Sequence, residues 1–200
     1  MMEWLKTFLK RNKGKKILII PVGISGSGKT TFYKDIKDEF EIEYLSFDKI
    51  RIDFYLEKFP ELKNKTVREI YKKAYFYASK NKLKPLKLLK QKIINTDKNI
   101  IYVDNTNLKK KTRNKILCIS QNFIKIGIYF DISLEDAIER QKLGNRDKYI
   151  SPKLIKEQYS MIEAPTIGEF DILYKLKVKT LAPTYFSDRF PGQYHGRGGA

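Results

Sequence analysis

The chain has 200 residues and carries 41 lysines and arginines against 23 aspartates and glutamates, a formal net charge of +18. Its 42% hydrophobic and 13% aromatic content can fill a core, which excludes an intrinsically disordered chain. One cysteine, Cys118, and one histidine, His195, exclude an intramolecular disulfide framework, a cysteine- or histidine-based metal cluster and a Ser-His-Asp triad.

No apolar run approaches the roughly 20 residues that cross a bilayer. The stretch from Met1 to Lys16 has no continuous apolar segment of a leader peptide. The expectation is a cytoplasmic protein without a membrane partner. Trp4, Leu5, Phe8 and Leu9 share one side of a helix, which either docks on the protein's own core or lies on a membrane surface. The positive charge attracts polyanions, nucleic acid above all. A lysine-rich background would produce the same excess, since only 8 of the 41 basic residues are arginine. An arginine inside a motif is therefore the more informative residue.

In chain order, residues 16–22 (KILIIPV) read as a strand buried on both faces, as in a parallel sheet. A helix is expected over 29–40 and a second strand over 41–47. Asp48 is a plausible N-cap for a helix over 49–58. Thr66 and Glu69 form a capping box that opens a helix with Val67, Ile70, Tyr71, Ala74, Tyr77 and Ala78 on one face. Further helices are expected over 85–95 and, strongly basic, over 109–121. Strands fall at 99–103, 123–130 and 171–178. Ser133 caps a helix to about 143, residues 144–150 form a polar loop, and Ser151-Pro152 opens the last helix. Alternating strands and helices predict a three-layer α/β domain with a mainly parallel five-stranded sheet over residues 1–182. From 183 to 200 the composition shifts to proline, glycine and aromatics. Tyr185, Phe186, Phe190 and Tyr194 with Arg189 either pack on the domain or stack on unpaired bases.

Gly23-Ile24-Ser25-Gly26-Ser27-Gly28-Lys29-Thr30 fits the P-loop pattern at every position, between a buried strand and a helix as the mechanism requires. The glycines let backbone N–H groups turn toward phosphate oxygens, and the following helix adds its positive end. Lys29 would reach the β- and γ-phosphates of ATP, and the Thr30 hydroxyl would be a ligand of Mg²⁺. The nucleotide-contacting set is Gly23, Ser25, Gly26, Ser27, Gly28, Lys29, Thr30 and Thr31.

Four apolar residues lead to Asp104, a pattern that places a carboxylate near the metal, with contact through water. Asn105 follows where many ATP-driven motors carry a glutamate that activates water, so a kinase is favoured over a motor. Asp48 and Arg51 stand one helical turn apart beyond the second strand, where ligands of parallel sheets bind. The carboxylate can accept a hydroxyl proton and the arginine can hold an anion on the acceptor. Arg140 and Arg146 flank a loop, about 140–150, where a nucleotide kinase carries its lid. Either could cover the γ-phosphate.

Taken in order, GISGSGKT, DKIR at 48–51, VDNTNL at 103–108 and FDISLEDAIERQ at 130–141 resemble the 5′-kinase domain of phage-type polynucleotide kinases, within the P-loop kinase group. The resemblance spans roughly residues 16–180. It implies a P-loop kinase fold with a lid. Asp48 would be the general base on a 5′-hydroxyl, Arg51 the holder of the acceptor's phosphate, and Asp104 an organiser of the site. Lys29 and Thr30 would serve ATP and Mg²⁺, and Arg146 would be the lid arginine. The partner so implied is the 5′-hydroxyl end of DNA or RNA, single-stranded or at a duplex end. Alternatives are a kinase of a modified base in DNA, of a small molecule such as a nucleoside, sugar or antibiotic, and a nucleotide-gated nucleic-acid-binding protein. A homo-oligomer is left open.

Overall fold

The computed structural model of the protein describes residues 2–119, 121–143 and 148–178. Strands β1 (Ile17–Val22), β2 (Ile42–Leu45), β3 (Ile100–Val103), β4 (Ile124–Asp131) and β5 (Ile172–Lys177) form one sheet in the order β2-β3-β1-β4-β5. Every pairing is parallel. Parallel strands need crossover connections, so helices cover both faces, and the predicted three-layer α/β architecture is the one observed.

Alternation along β1 divides the core. Leu18, Ile20 and Val22 pack with Ile50 of α3 (Phe47–Lys58), Leu89 and Ile93 of α5 (Pro85–Asn95), and Ile116 and Leu117 of α6 (Lys110–Leu117). Ile17 and Ile19 pack on the other face with Leu5 and Leu9 of α1 (Met2–Arg11) and Phe32 of α2 (Lys29–Lys34). Trp4 stacks on Tyr174 of β5 at 5.9 Å. The N-terminal amphipathic helix thus docks on the domain's own core. No helix among the described residues is long and apolar enough to cross a membrane. A third cluster sits beyond the carboxyl ends of the strands: Ile24, Leu108, Ile132, Ala137 of α7 (Leu134–Glu139) and Ile155 of α8 (Pro152–Ser160). Last, α4 (Val67–Lys80) packs Ile70 and Ala74 on Tyr55 of α3, while Val67, expected on the same face, is exposed.

Several sequence expectations need correction. The helix predicted over 29–40 ends at Lys34, because Ile36 and Glu39 bond back three residues, to Tyr33 and Ile36, and tuck Ile36 into the core. The helix predicted to run to 143 ends at Glu139 and tightens into a 3₁₀ turn, Arg140–Lys142. Asp48 is not the N-cap of α3. Ser46 is, its Oγ accepting from the Lys49 amide at 3.0 Å. The capping box at Thr66 is present, with the Glu69 carboxylate accepting from the Thr66 amide at 2.7 Å. The tail over 183–200 and the lid residues 144–147 lie outside the described residues.

The helix read as basic ends at Leu117 and turns one arginine inward. Arg113 is wholly buried. Its Nε and Nη2 donate to the two Glu169 oxygens at 2.8 and 2.9 Å. Its Nη1 donates to the carbonyls of Asn107, Leu108 and Glu163 at 3.0, 2.8 and 2.9 Å. Arg113 therefore ties the chain leaving β3 to the segment entering β5.

Candidate active site

The P-loop joins β1 to α2. Gly26 and Gly28 have φ of +92° and +97°, a region that disfavours side chains. A Cβ on Gly26 would also lie 2.8 Å from the Ala137 carbonyl and from Gln141 Nε2, so the end of α7 presses directly on the loop. Lys29, 7% exposed, curls into the loop's concavity. Its Nζ donates to the Gly23 and Ile24 carbonyls at 2.9 and 2.8 Å and to Ser27 Oγ at 3.2 Å. From α8, Gln158 Oε1 accepts from the Ser25 amide at 2.8 Å. Thr30 and Thr31 are exposed on the first turn of α2.

The Thr30 hydroxyl donates to Asp104 Oδ2 at 2.6 Å, and the Tyr44 hydroxyl donates to the same oxygen at 2.8 Å. Burial first, then the Asp104 charge, pushes the Tyr44 phenol far up, so it remains a donor across the neutral range. The pair of a threonine hydroxyl and an aspartate oxygen fits Mg²⁺, a hard cation that takes oxygen ligands beside nucleotide phosphates. When bound there, the ion would draw charge from the β- and γ-oxygens.

The block after β3 is largely scaffolding. Asn105 Oδ1 accepts from the Phe47 amide at 2.8 Å, which satisfies a donor in the first turn of α3 that has no intrahelical partner. Asn107, at φ 49°, donates through Nδ2 to the Pro21, Val103 and Asn105 carbonyls. Asn105 thus positions the turn that carries Asp48, where sequence reading took it only for a missing glutamate.

With Ser46 as cap, the Asp48 carboxylate is released to the site. Oδ1 accepts from Arg51 Nη1 at 3.0 Å and, more weakly, from the Tyr71 hydroxyl at 3.5 Å. Oδ2 accepts from Lys148. The Arg51 guanidinium lies 4.9 Å from the Tyr75 ring centre and 5.9 Å from that of Phe47. Burial and then the Asp48 charge raise the Tyr71 phenol. For Lys148, burial acts to lower the ammonium, but the charge and hydrogen bond of Asp48 outweigh it and the net shift is upward. Sequence reading missed Tyr44, Tyr71, Tyr75, Lys148 and Gln158, because none stands in a motif and all arrive through tertiary packing.

Of the two arginines expected at the lid, Arg140 is described, and it reaches the loop. Its Nη1 lies 3.4 Å from the Gly26 carbonyl, and a Cβ on Gly28 would be 3.7 Å from the same nitrogen. Arg146, chosen over it on sequence, lies outside the described residues. Arg140→Ala is expected to lower kcat by about 10², the scale for one lost donor to developing charge. A change under twofold in steady-state kinetics would remove Arg140 from the phosphate site.

A profile of the family described as an AAA domain matches residues 18–159, and the chain belongs to that family. Similar solved structures include a gluconokinase from Sinorhizobium meliloti 1021, with 16% identity over 81% of this chain and 82% of that one and a TM-score of 0.53. A sugar kinase from Janibacter sp. HTCC2649 shows 16% identity over 82% and 86%, with a TM-score of 0.52. At such identities the likeness is one of fold, and the fold is that of P-loop kinases. No curated protein matches the chain.

Proposed function

We propose that the protein transfers the γ-phosphate of ATP to a hydroxyl of an acceptor that also carries an anionic group. The observation that carries this reading is the Asp48–Arg51 pair beyond the end of β2, one strand over from the Thr30–Asp104 pair. In the reaction the acceptor oxygen bonds to the γ-phosphorus. The bond from that phosphorus to the bridging oxygen breaks, its electron pair leaving with ADP. The hydroxyl proton passes to Asp48. The flanking rings keep the Arg51 fork facing the acceptor's anion.

Two acceptor classes have support. We place first a small polyhydroxy compound that carries an anion, such as a sugar acid, because the two solved neighbours are named as a gluconokinase and a sugar kinase. The second is the 5′-hydroxyl end of DNA or RNA. It is favoured by the DKIR and VDNTNL stretches and by an open groove of about 600 Å³ lined by Lys90, Lys110, Lys111, Lys115, Asn114 and Cys118. The helices that frame the groove, α5 and α6, contain no carboxylate, so its charge suits a phosphate backbone.

The test is incubation with γ-labelled ATP and a panel of sugars, sugar acids, nucleosides and 5′-hydroxyl DNA and RNA oligonucleotides. Label on a sugar or sugar acid supports the first class, and label on oligonucleotides alone supports the second. ATP binding without label on any acceptor would overturn the kinase reading in favour of a nucleotide-gated binding protein. Arg51→Lys, which keeps the charge and loses the fork, should raise KM for the acceptor about tenfold, the scale of one charge-assisted hydrogen bond. KM for ATP should not change. An equal rise in both would place Arg51 on the nucleotide side.

A further inference from the structure

The two oxygens of Asp48 are held from different parts of the molecule. Oδ1 is met by Arg51 of α3, one turn along the same helix, and by Tyr71 of α4, which packs on α3. Both are fixed within packed helices. Oδ2 is met by Lys148, which belongs to neither helix but to the connection that leads into α8. The Lys148 ammonium also lies 5.2 Å from the centre of the Tyr71 ring, and the Asp104 charge on the nucleotide side of the site adds, after that of Asp48, to holding it protonated. A general base must offer a lone pair to the proton it takes. With Arg51 and Tyr71 on Oδ1, the oxygen open to an acceptor hydroxyl is Oδ2, and Lys148 already occupies it.

We propose that Lys148 is a positioning residue that guards the base: it covers Asp48 Oδ2 until an acceptor hydroxyl displaces it, and so biases transfer toward the acceptor and away from water. The inference rests on the kinase reading above and deepens it. In the reaction that it suppresses, a water oxygen would bond to the γ-phosphorus, the bond to the bridging oxygen would break with its electron pair going to ADP, and a water proton would pass to Asp48. The products would be ADP and inorganic phosphate. In the reaction that it permits, the acceptor oxygen takes the place of water. A small water molecule bound by two or three hydrogen bonds competes poorly with a part-buried ion pair. An acceptor anchored through its anion on Arg51 brings enough binding energy to displace the ammonium.

The groups facing Asp48 make the sign of the effect testable. They are Arg51 from α3, Tyr71 from α4 and Lys148 from the connection before α8, with Tyr44 of β2 within electrostatic range. Lys148→Met keeps the length of the side chain and loses the charge, whereas Lys148→Arg keeps the charge. In the nucleotide-free protein at neutral pH, the Asp48 ¹³C-carboxyl resonance should move in Lys148→Met, which leaves Oδ2 without its cation, and stay near its wild-type position in Lys148→Arg. With ATP and no acceptor, Lys148→Met should hydrolyse ATP about tenfold faster, the factor for a base covered nine-tenths of the time and then released. Thermal melts of both variants confirm that the fold is kept.

An unmoved Asp48 carboxyl resonance in folded Lys148→Met would overturn the pairing. A moved resonance with unchanged hydrolysis would overturn the guarding role. The NMR comparison needs no acceptor, so it decides the inference separately from the acceptor panel. Should the panel show no transfer at all, the kinase reading falls by itself, while the Lys148–Asp48 pairing stands or falls on the NMR comparison.

Discussion

Asp48→Asn is expected to lower kcat for phosphoryl transfer by about 10²–10⁴, the range for loss of a general base, with KM for ATP changed less than about twofold. The substitution is nearly isosteric, and its amide oxygen can still accept from Arg51 and Tyr71, but it cannot take a proton. The cap of α3 is Ser46, so the capping hydrogen bond survives the substitution, and the loss should appear in the chemical step. Steady-state kinetics with the best acceptor from the panel, beside a thermal melt, provides the measurement. If transfer by the folded variant stays near wild type, Asp48 is not the base. If KM for ATP rises in parallel with the loss of kcat, the residue acts on the nucleotide. The two cations on Asp48 add a further expectation. Asparagine leaves Arg51 and Lys148 without their anionic partner, so the variant should bind an anionic acceptor at least as tightly as wild type while turning it over slowly.

Arg113→Ala is expected to destabilise the protein by about 3–5 kcal/mol, the cost of breaking a buried pair from one side. The Glu169 side chain is buried beside it, and three backbone carbonyls lose their donor at the same time. At about 2–4 °C per kcal/mol for a chain of this size, the melting temperature should fall by roughly 6–20 °C. A fall of only a few degrees would mean that water enters and replaces the guanidinium. The pH dependence gives an independent check. Burial acts to raise the Glu169 carboxyl, but the hydrogen bond from Arg113, the Thr166 amide and the Arg113 charge outweigh it and hold it below its ordinary value. A carboxyl held low stabilises the fold fully above its unfolded pKa and loses that contribution as pH falls through the folded value. The gap between wild type and Arg113→Ala should therefore narrow on acidification. Catalysis measured well below the melting temperature should persist, because Arg113 touches the loop after β3 from behind and none of the groups on Asp48 or Lys29.

Local chemistry alone made much of this protein legible. The unbroken apolar run before Gly23 calls for a strand buried on both faces, and a glycine-rich turn followed by Lys29-Thr30 has few uses other than cradling phosphate. Those residues interact with neighbours a few positions away, so spacing along the chain carries their geometry. The same holds for the Asp48–Arg51 pair at one helical turn and for the capping box at Thr66. Helix ends were less legible. Whether α2 continues past Lys34 depends on where Ile36 must sit in the core, and the Phe47 amide in the first turn of α3 finds its acceptor in Asn105, some sixty residues away.

The groups that complete the site were decided only by tertiary structure. Lys148 meets Asp48 across a hundred residues of chain, and Tyr44 meets Asp104 across sixty. Lysine and tyrosine are common in this sequence, so nothing local sets those two apart. Arg113 sits in a run of lysines and reads as solvated, yet three carbonyls and a carboxylate converge on it once β3, α6 and the segment before β5 are packed. Sequence took Arg146 as the lid arginine, with Arg140 as the alternative. Only the close approach of α7 to Gly26, where any side chain would clash, puts Arg140 over the P-loop. Sequence by itself determined the phosphate cradle and the parallel sheet, because both arise from neighbours in the chain. The surroundings of Asp48 were decided by the fold, because burial and charge there come from elements that meet only when the sheet brings their ends together.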